Sequence, residues 1–187
     1  AATDILVFQK DVGLVNLALS GSSTGVSNAV FPYRQLEPQD IDGDGCIEIP
    51  APDGAWSAEQ TDGLVTWLRC GADGTLTRVA QTYHSMSCGW YFNIPESWWD
   101  WNLTTATTSI TNENQFSLQI NGDPVFSIYT ITGENRDNRG RIGKRIVLRR
   151  QTATVYAGEL YDAANYYGMD EDMFRRGFNL IVGTWSN

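Results

Sequence analysis

Acidic residues alternate through Asp40-Ile41-Asp42-Gly43-Asp44-Gly45-Cys46-Ile47-Glu48-Ile49-Pro50, and this is the spacing in the chain that implies a definite chemistry. The side chains of Asp40, Asp42, Asp44 and Glu48, with the backbone carbonyl of Cys46, can surround one hard cation with oxygen ligands. Glycine at 43 lets the chain turn sharply between them. The stretch therefore reads as a calcium loop. Asp-Gly repeats also build ordinary turns that hold no metal, but three aspartates packed into Asp40-Asp44 repel one another unless a cation sits among them. The EF-hand pattern is only half met, because Glu48 stands at the ninth position while the twelfth is Ala51, where a bidentate Glu belongs. No helical periodicity precedes Asp40, and Ile47-Glu48-Ile49 alternates like a strand up to Pro50, so the loop is expected to join two strands.

A second candidate is aromatic. Tyr91-Phe92-Asn93-Ile94-Pro95-Glu96-Ser97-Trp98-Trp99-Asp100-Trp101 is the densest cluster of rings, and exposed indoles at Trp98, Trp99 and Trp101 would form a platform on which a sugar face stacks. The alternative is that these rings serve the core, as large aromatics usually do. Glu96 and Asp100 beside them can be cast as the acid and base of a glycosidase, which requires one carboxyl to be raised by an apolar wall. His84 is the lone histidine, with Ser85, Ser87 and Cys88 too near it in sequence to make a triad, and it reads as a strand-end residue near solvent. Three cysteines leave open both a Cys70–Cys88 disulfide and reduced, buried thiols, and one His with no Cys-x-x-Cys spacing disfavours zinc.

The elements that must position these residues are mostly strands. Alternation and turn signals predict strands over 5–9, 14–19, 47–49, 64–69, 76–84, 90–94, 103–111, 116–120, 125–131, 145–148 and 154–160. Lys10-Asp11-Val12-Gly13 and Asn121-Gly122 are hairpin signals, Gly71-Ala72-Asp73-Gly74 a turn, residues 20–28 a flexible connection, Phe31-Pro32-Tyr33-Arg34 a lead into the acidic loop, and Ala51-Pro52-Asp53-Gly54 a turn or linker. Asp170 to Phe178 carries acids first and bases last and puts Met173, Phe174, Gly177 and Phe178 on one face, a helix packed on the sheet. The fold class is thus α+β, predominantly antiparallel sheet with a C-terminal helix, beside a small N-terminal β unit over residues 1–52 and a larger domain over 53–187.

Composition narrows the function. A net charge of −9 argues against broad nucleic-acid binding, and no apolar run is long enough to cross a bilayer. Ten acids face only Lys10 and Arg34 in residues 1–62, while seven basic residues crowd between Arg136 and Arg150. That basic stretch, including the polar run 132–143, reads as an exposed, mobile loop and strand, or as a docking surface for an acidic partner. The chain opens at Ala1 in a strand pattern without Met, which suggests a processed segment of something longer.

Taken together, the acidic loop, Trp67 on its strand, Gly89-Trp-Tyr-Phe-Asn-Ile-Pro-Glu-Ser-Trp98, Val125-Phe-Ser-Ile-Tyr129 and Thr154-Val-Tyr-Ala157 resemble a group of secreted or lipid-anchored proteins of Gram-positive gut anaerobes. There, FG-GAP/VCBS-type propeller-like repeats precede a domain similar to the PsbP/Mog1-like sandwich. The resemblance implies metal ligation by Asp40, Asp42, Asp44 and Glu48, a partial blade at residues 1–50, an extracellular or cell-surface location, and no established reaction. The expected function is an extracytoplasmic, non-enzymatic binding module with a calcium-stabilised loop, whose partner is a glycan or another envelope protein. A glycan-active enzyme using Glu96 and Asp100, or a structural spacer of a larger envelope protein, are the alternatives.

Overall fold

The computed structural model describes residues 5–9, 13–17, 23–27, 36, 38–52, 62–71 and 75–181. The Lys10-Val12 turn, the Phe31-Arg34 lead-in, the Asp53-Gly54 linker and Ala72-Gly74 lie outside the described residues. The chain divides into two compact units, Ala1–Ser87 and Cys88–Asn187.

In the first unit, β1 (Ile5–Gln9), β2 (Gly13–Leu17) and β3 (Ser23–Ser27) form an antiparallel meander. The Ser/Thr/Gly segment expected to be a flexible connection thus carries a strand. Its small residues have weak strand propensity, and pairing with β2 overrides it. A second meander consists of β4 (Ile49–Pro52), β5 (Asp62–Cys70) and β6 (Leu76–Ser85). Pro50 lies inside β4 rather than ending it, paired with Trp67, a position that β4 tolerates because only β5 bonds to it within this meander. The expected boundary near residue 52 falls within this β4–β5 pair. Alternation along β5 divides the packing in two: Val65 and Trp67 pack with Leu36, Val79 and Met86, whereas Leu68 and Cys70 pack with Ile49 and Leu76.

The second unit begins with β7 (Trp90–Asn93), which pairs with β13 (Phe178–Leu180), and a 3₁₀ turn at Glu96–Trp98. Its main sheet has five antiparallel strands in the order β11 (Ile146–Arg150), β12 (Thr154–Leu160), β10 (Asp123–Thr132), β9 (Glu113–Ile120), β8 (Leu103–Ile110). The outer strand β8 keeps every side chain from 104 to 110 exposed. Asn121 and Gly122 both adopt positive φ in a two-residue turn between β9 and β10, as the Asn-Gly signal requires. Pro124 sits at a register shift near the start of β10, where its missing N–H costs least.

The even-numbered face of this sheet is aromatic. Phe126 lies 4.6 Å from Phe92, 5.0 Å from Phe174 and 6.1 Å from Phe116, and Trp90 lies 5.3 Å from Phe116, in tilted or edge geometries. Phe174 comes from α3 (Glu171–Gly177), where Asp170 caps the first turn by accepting the Met173 N–H at 2.7 Å. Phe174 and Gly177 are buried and Met173 is half-buried, while Phe178 leaves the helix and starts β13, so the expected helical stripe is met up to Gly177. Two further helices stand where no helix was expected: α1 (Arg136–Arg139) and α2 (Asp162–Tyr166), each too short to show a helical period. The architecture is α+β, antiparallel sheet with a few short helices toward the C-terminus. Among the described residues no helix is long and apolar enough to cross a membrane.

Candidate functional site

The acidic loop is closed at its base by an antiparallel bridge. Gln39 N–H donates to the Glu48 carbonyl at 3.1 Å and Glu48 N–H to the Gln39 carbonyl at 2.9 Å, so extended chain enters and leaves the loop. Asp40 organises the turn. Its Oδ1 accepts the N–H groups of Gly43 (2.7 Å) and Asp44 (3.0 Å), and its Oδ2 that of Gly45 (2.9 Å), while Gly43 and Gly45 take positive φ. Asp42 Oδ1 accepts the Asp44 N–H and Asp44 Oδ1 the Cys46 N–H. The result is a curled backbone held by its own carboxylates.

Carboxylate oxygens of Asp40, Asp42 and Glu48 lie within 4.8 Å of one another. That is no more than about twice a 2.3–2.6 Å calcium–oxygen bond, so the set can hold one divalent cation. The two aspartates are exposed and Glu48 is fully buried. Asp44 instead directs Oδ2 to Arg69, and Cys46 is an exposed thiol whose pKa is raised, first by its hydrogen bond with Asp44.

Arg69, on β5, is the participant that spacing arguments missed. Its Nη2 lies 3.0 Å from Asp42, 2.7 Å from Asp44 and 2.9 Å from Glu48, and its Nε donates to Glu48 Oε1 at 3.1 Å. Glu48 Oε2 accepts the Ile41 N–H. The Glu48 hydrogen bond, with the three carboxylates around it, raises the Arg69 pKa further. Asp44 is held below the usual carboxylate range, chiefly by the Cys46 N–H. One signal in the sequence pointed this way: the acid excess of residues 1–62 demands a counter-charge, and Arg69 is the next base along the chain.

The tryptophan segment behaves differently from a platform. Trp98 is buried and its indole N–H donates to the Tyr167 carbonyl at 2.9 Å; Trp99 is half-buried and donates to the Ile94 carbonyl at 3.1 Å. Trp101 alone of the three is exposed, at 41%. Burial of the first two follows from the 3₁₀ turn, which rotates successive residues instead of alternating them. Glu96 and Asp100 are both exposed, whereas a glycosidase acid is raised by burial against an apolar wall.

His84 corrects an expectation. It is 1% exposed, its Nδ1 lies 3.0 Å from Thr82 Oγ1, which accepts the Trp67 indole N–H at 2.8 Å, and burial lowers its pKa to about 4. The lone histidine is therefore a neutral core group. All three cysteines are thiols, and the alternative of a Cys70–Cys88 disulfide is not realised.

The basic stretch is largely occupied internally. Glu113 accepts from Arg145 at 2.7 Å and Arg139 at 3.2 Å, Arg145 stacks 3.6 Å over the Tyr129 ring, Arg136 donates to the Gly133 and Thr152 carbonyls, and Arg150 pairs with Asp137. Burial pushes the Glu113 carboxyl up, but the two arginines outweigh it and hold it low. The segment 132–143, expected to be mobile, is pinned by these contacts. No family model, curated protein or solved structure matches the chain.

Proposed function

We propose that the chain is an extracytoplasmic, non-catalytic binding module whose N-terminal unit is locked by calcium in the Asp40–Glu48 loop. The observation that carries this is the convergence of Asp40, Asp42 and Glu48 within 4.8 Å on a backbone already curled by Asp40. Asp40, Asp42 and Glu48 would hold the ion, with Asp44, once released from Arg69, and the Cys46 carbonyl completing an oxygen-only set. Such a donor set selects a hard cation, and its exposed aspartates suit the weak, millimolar-range sites of extracellular modules. A bound ion supplies charge neutralisation and cross-links both arms of the loop; it performs no reaction. Buried His84 and exposed Glu96 and Asp100 support the non-catalytic reading.

The test is the thermal midpoint in EDTA and in rising calcium, with magnesium as comparison. A ligand that binds only the folded form at ten times its Kd adds about 1.4 kcal/mol, or roughly 5–10 °C for a unit of this size. Asp42→Asn keeps the hydrogen-bond acceptor for Asp44 N–H and removes the charge, so it should abolish the calcium response with little change in EDTA. Identical midpoints in EDTA and millimolar calcium would overturn the reading.

A further inference from the structure

Beside α2 the second unit carries an open cleft of about 310 Å³ lined by Asp123, Pro124, Lys144, Tyr161, Asp162 and Ala163. Two exposed rings connect to this cleft through Tyr167. Asp123 Oδ2 accepts the Tyr167 hydroxyl at 2.8 Å, and the buried Tyr167 ring makes edge contacts with Trp101 at 5.4 Å and with Tyr166 at 5.0 Å. Trp101 is 41% exposed and Tyr166 84% exposed. Two accessible rings therefore contact one buried ring that is hydrogen-bonded to the cleft wall.

The backbone that carries Trp101 is held in place. The Trp101 N–H donates to the Trp98 carbonyl, its own carbonyl accepts the Leu103 N–H, and the Asn121 N–H donates to the Asn102 carbonyl, fastening the segment to the β9–β10 turn. Tyr167 is anchored again through its carbonyl, which accepts the Trp98 indole N–H. On the cleft floor Tyr161 Oη lies 2.9 Å from the buried Ser127 Oγ, itself 2.7 Å from Ser117 Oγ. An aromatic side chain on an anchored backbone loses less conformational freedom on binding than one on a loose loop.

We infer that this cleft binds a neutral carbohydrate chain, with Trp101 and Tyr166 stacking on sugar faces and Asp123, Lys144, Tyr161 and Asp162 bonding hydroxyls. The inference rests on the binding-module reading and is independent of the metal loop. Two carboxylates accept and one ammonium donates, so the lining offers both halves of the hydrogen bonds that a hydroxyl-rich ligand makes. Its charge does not favour an anion, nor does the −9 of the whole chain. Lys144 and Asp162 pair loosely at 3.7 Å in full solvent, so hydroxyls can replace that contact at small cost. A few convergent polar groups beside aromatic rings are the usual constitution of a small-ligand site.

The experiment is native affinity electrophoresis of the full chain through gels containing xylan, mannan, mixed-linkage β-glucan or α-glucan, with acidic polysaccharides in parallel, each run in calcium and in EDTA. Retardation by at least one neutral polysaccharide is expected, weakened about tenfold or more by Trp101→Ala and by Tyr166→Ala. Tyr166 is exposed enough that its substitution leaves the fold intact, which keeps the test valid should Trp101→Ala misfold. Migration unaffected by every neutral polysaccharide, retardation only by acidic ones, or retardation that survives both substitutions would overturn the inference. Failure of the metal reading would register separately, as an unchanged thermal midpoint in calcium.

Discussion

At the residue scale, two side chains change meaning once placed. Arg69 partly offsets a cluster of like charges before any ion arrives, because a single guanidinium meets three carboxylates. Arg69→Met should therefore lower the thermal midpoint in EDTA and enlarge the rise on adding calcium, measured by the same titration. A smaller calcium response in the variant would show that Arg69 assists the ion instead of substituting for it. His84 gives the opposite kind of effect. Its pKa is near 6.5 in the unfolded chain and about 4 when buried, so the unfolded state binds more protons between those values. Stability is full above pH 6.5 and falls as the pH drops toward 4, by up to roughly 3 kcal/mol. Urea unfolding at pH 7, 6 and 5 should show this slope in the parent and lose it in His84→Gln. Glu113, depressed by its arginines, acts only lower, as the pH falls through its folded pKa.

At the element scale, the strands of the second unit were legible because their signals are local: alternation in Phe116, Leu118 and Ile120, and Asn121-Gly122 for the turn. The acidic loop was legible in the same way, from spacing alone. What stayed hidden was non-local. Arg69 reaches Glu48 because β4 and β5 pair in register, Ile49 against Leu68, and no spacing within one segment reports that. The segment 132–143 looked loose because its anchor, Glu113, lies on β9. Trp98 and Trp99 were open to both a platform and a core reading because the 3₁₀ turn at Glu96–Trp98 leaves no periodic trace. Close approach of elements is hidden too. A Cβ at Gly158 on β12 would run into the Phe174 ring, so α3 lies against that strand only because the side chain is absent. Gly158→Ala should cost about 1–3 kcal/mol by overpacking, read as a lowered urea midpoint with an unchanged slope. An unchanged midpoint would mean that α3 can shift without loss.

At the scale of the whole molecule, charge is unevenly distributed: the first unit keeps a net acidic excess, with four bases against eleven acids, while the second is closer to balance. The acidic first unit uses Arg69, and the basic run of the second uses Glu113, Asp137 and backbone carbonyls. A docking surface for an acidic partner is correspondingly reduced, which is why the candidate sites are a loop and a cleft and not a charged face. One boundary of the second unit remains open in a literal sense. Strand β8 ends its sheet with eight residues, Leu-Thr-Thr-Ala-Thr-Thr-Ser-Ile, that include no charge and no proline, and among the described residues no strand lies beside its outer N–H and C=O groups. Natural edges are normally blunted by charged side chains or proline. Concentrated solutions should therefore scatter light increasingly with time, and Thr107→Lys should suppress that scattering without altering the thermal midpoint. The same strand that finishes one sheet is, to an extended segment of any other chain, the first row of the next.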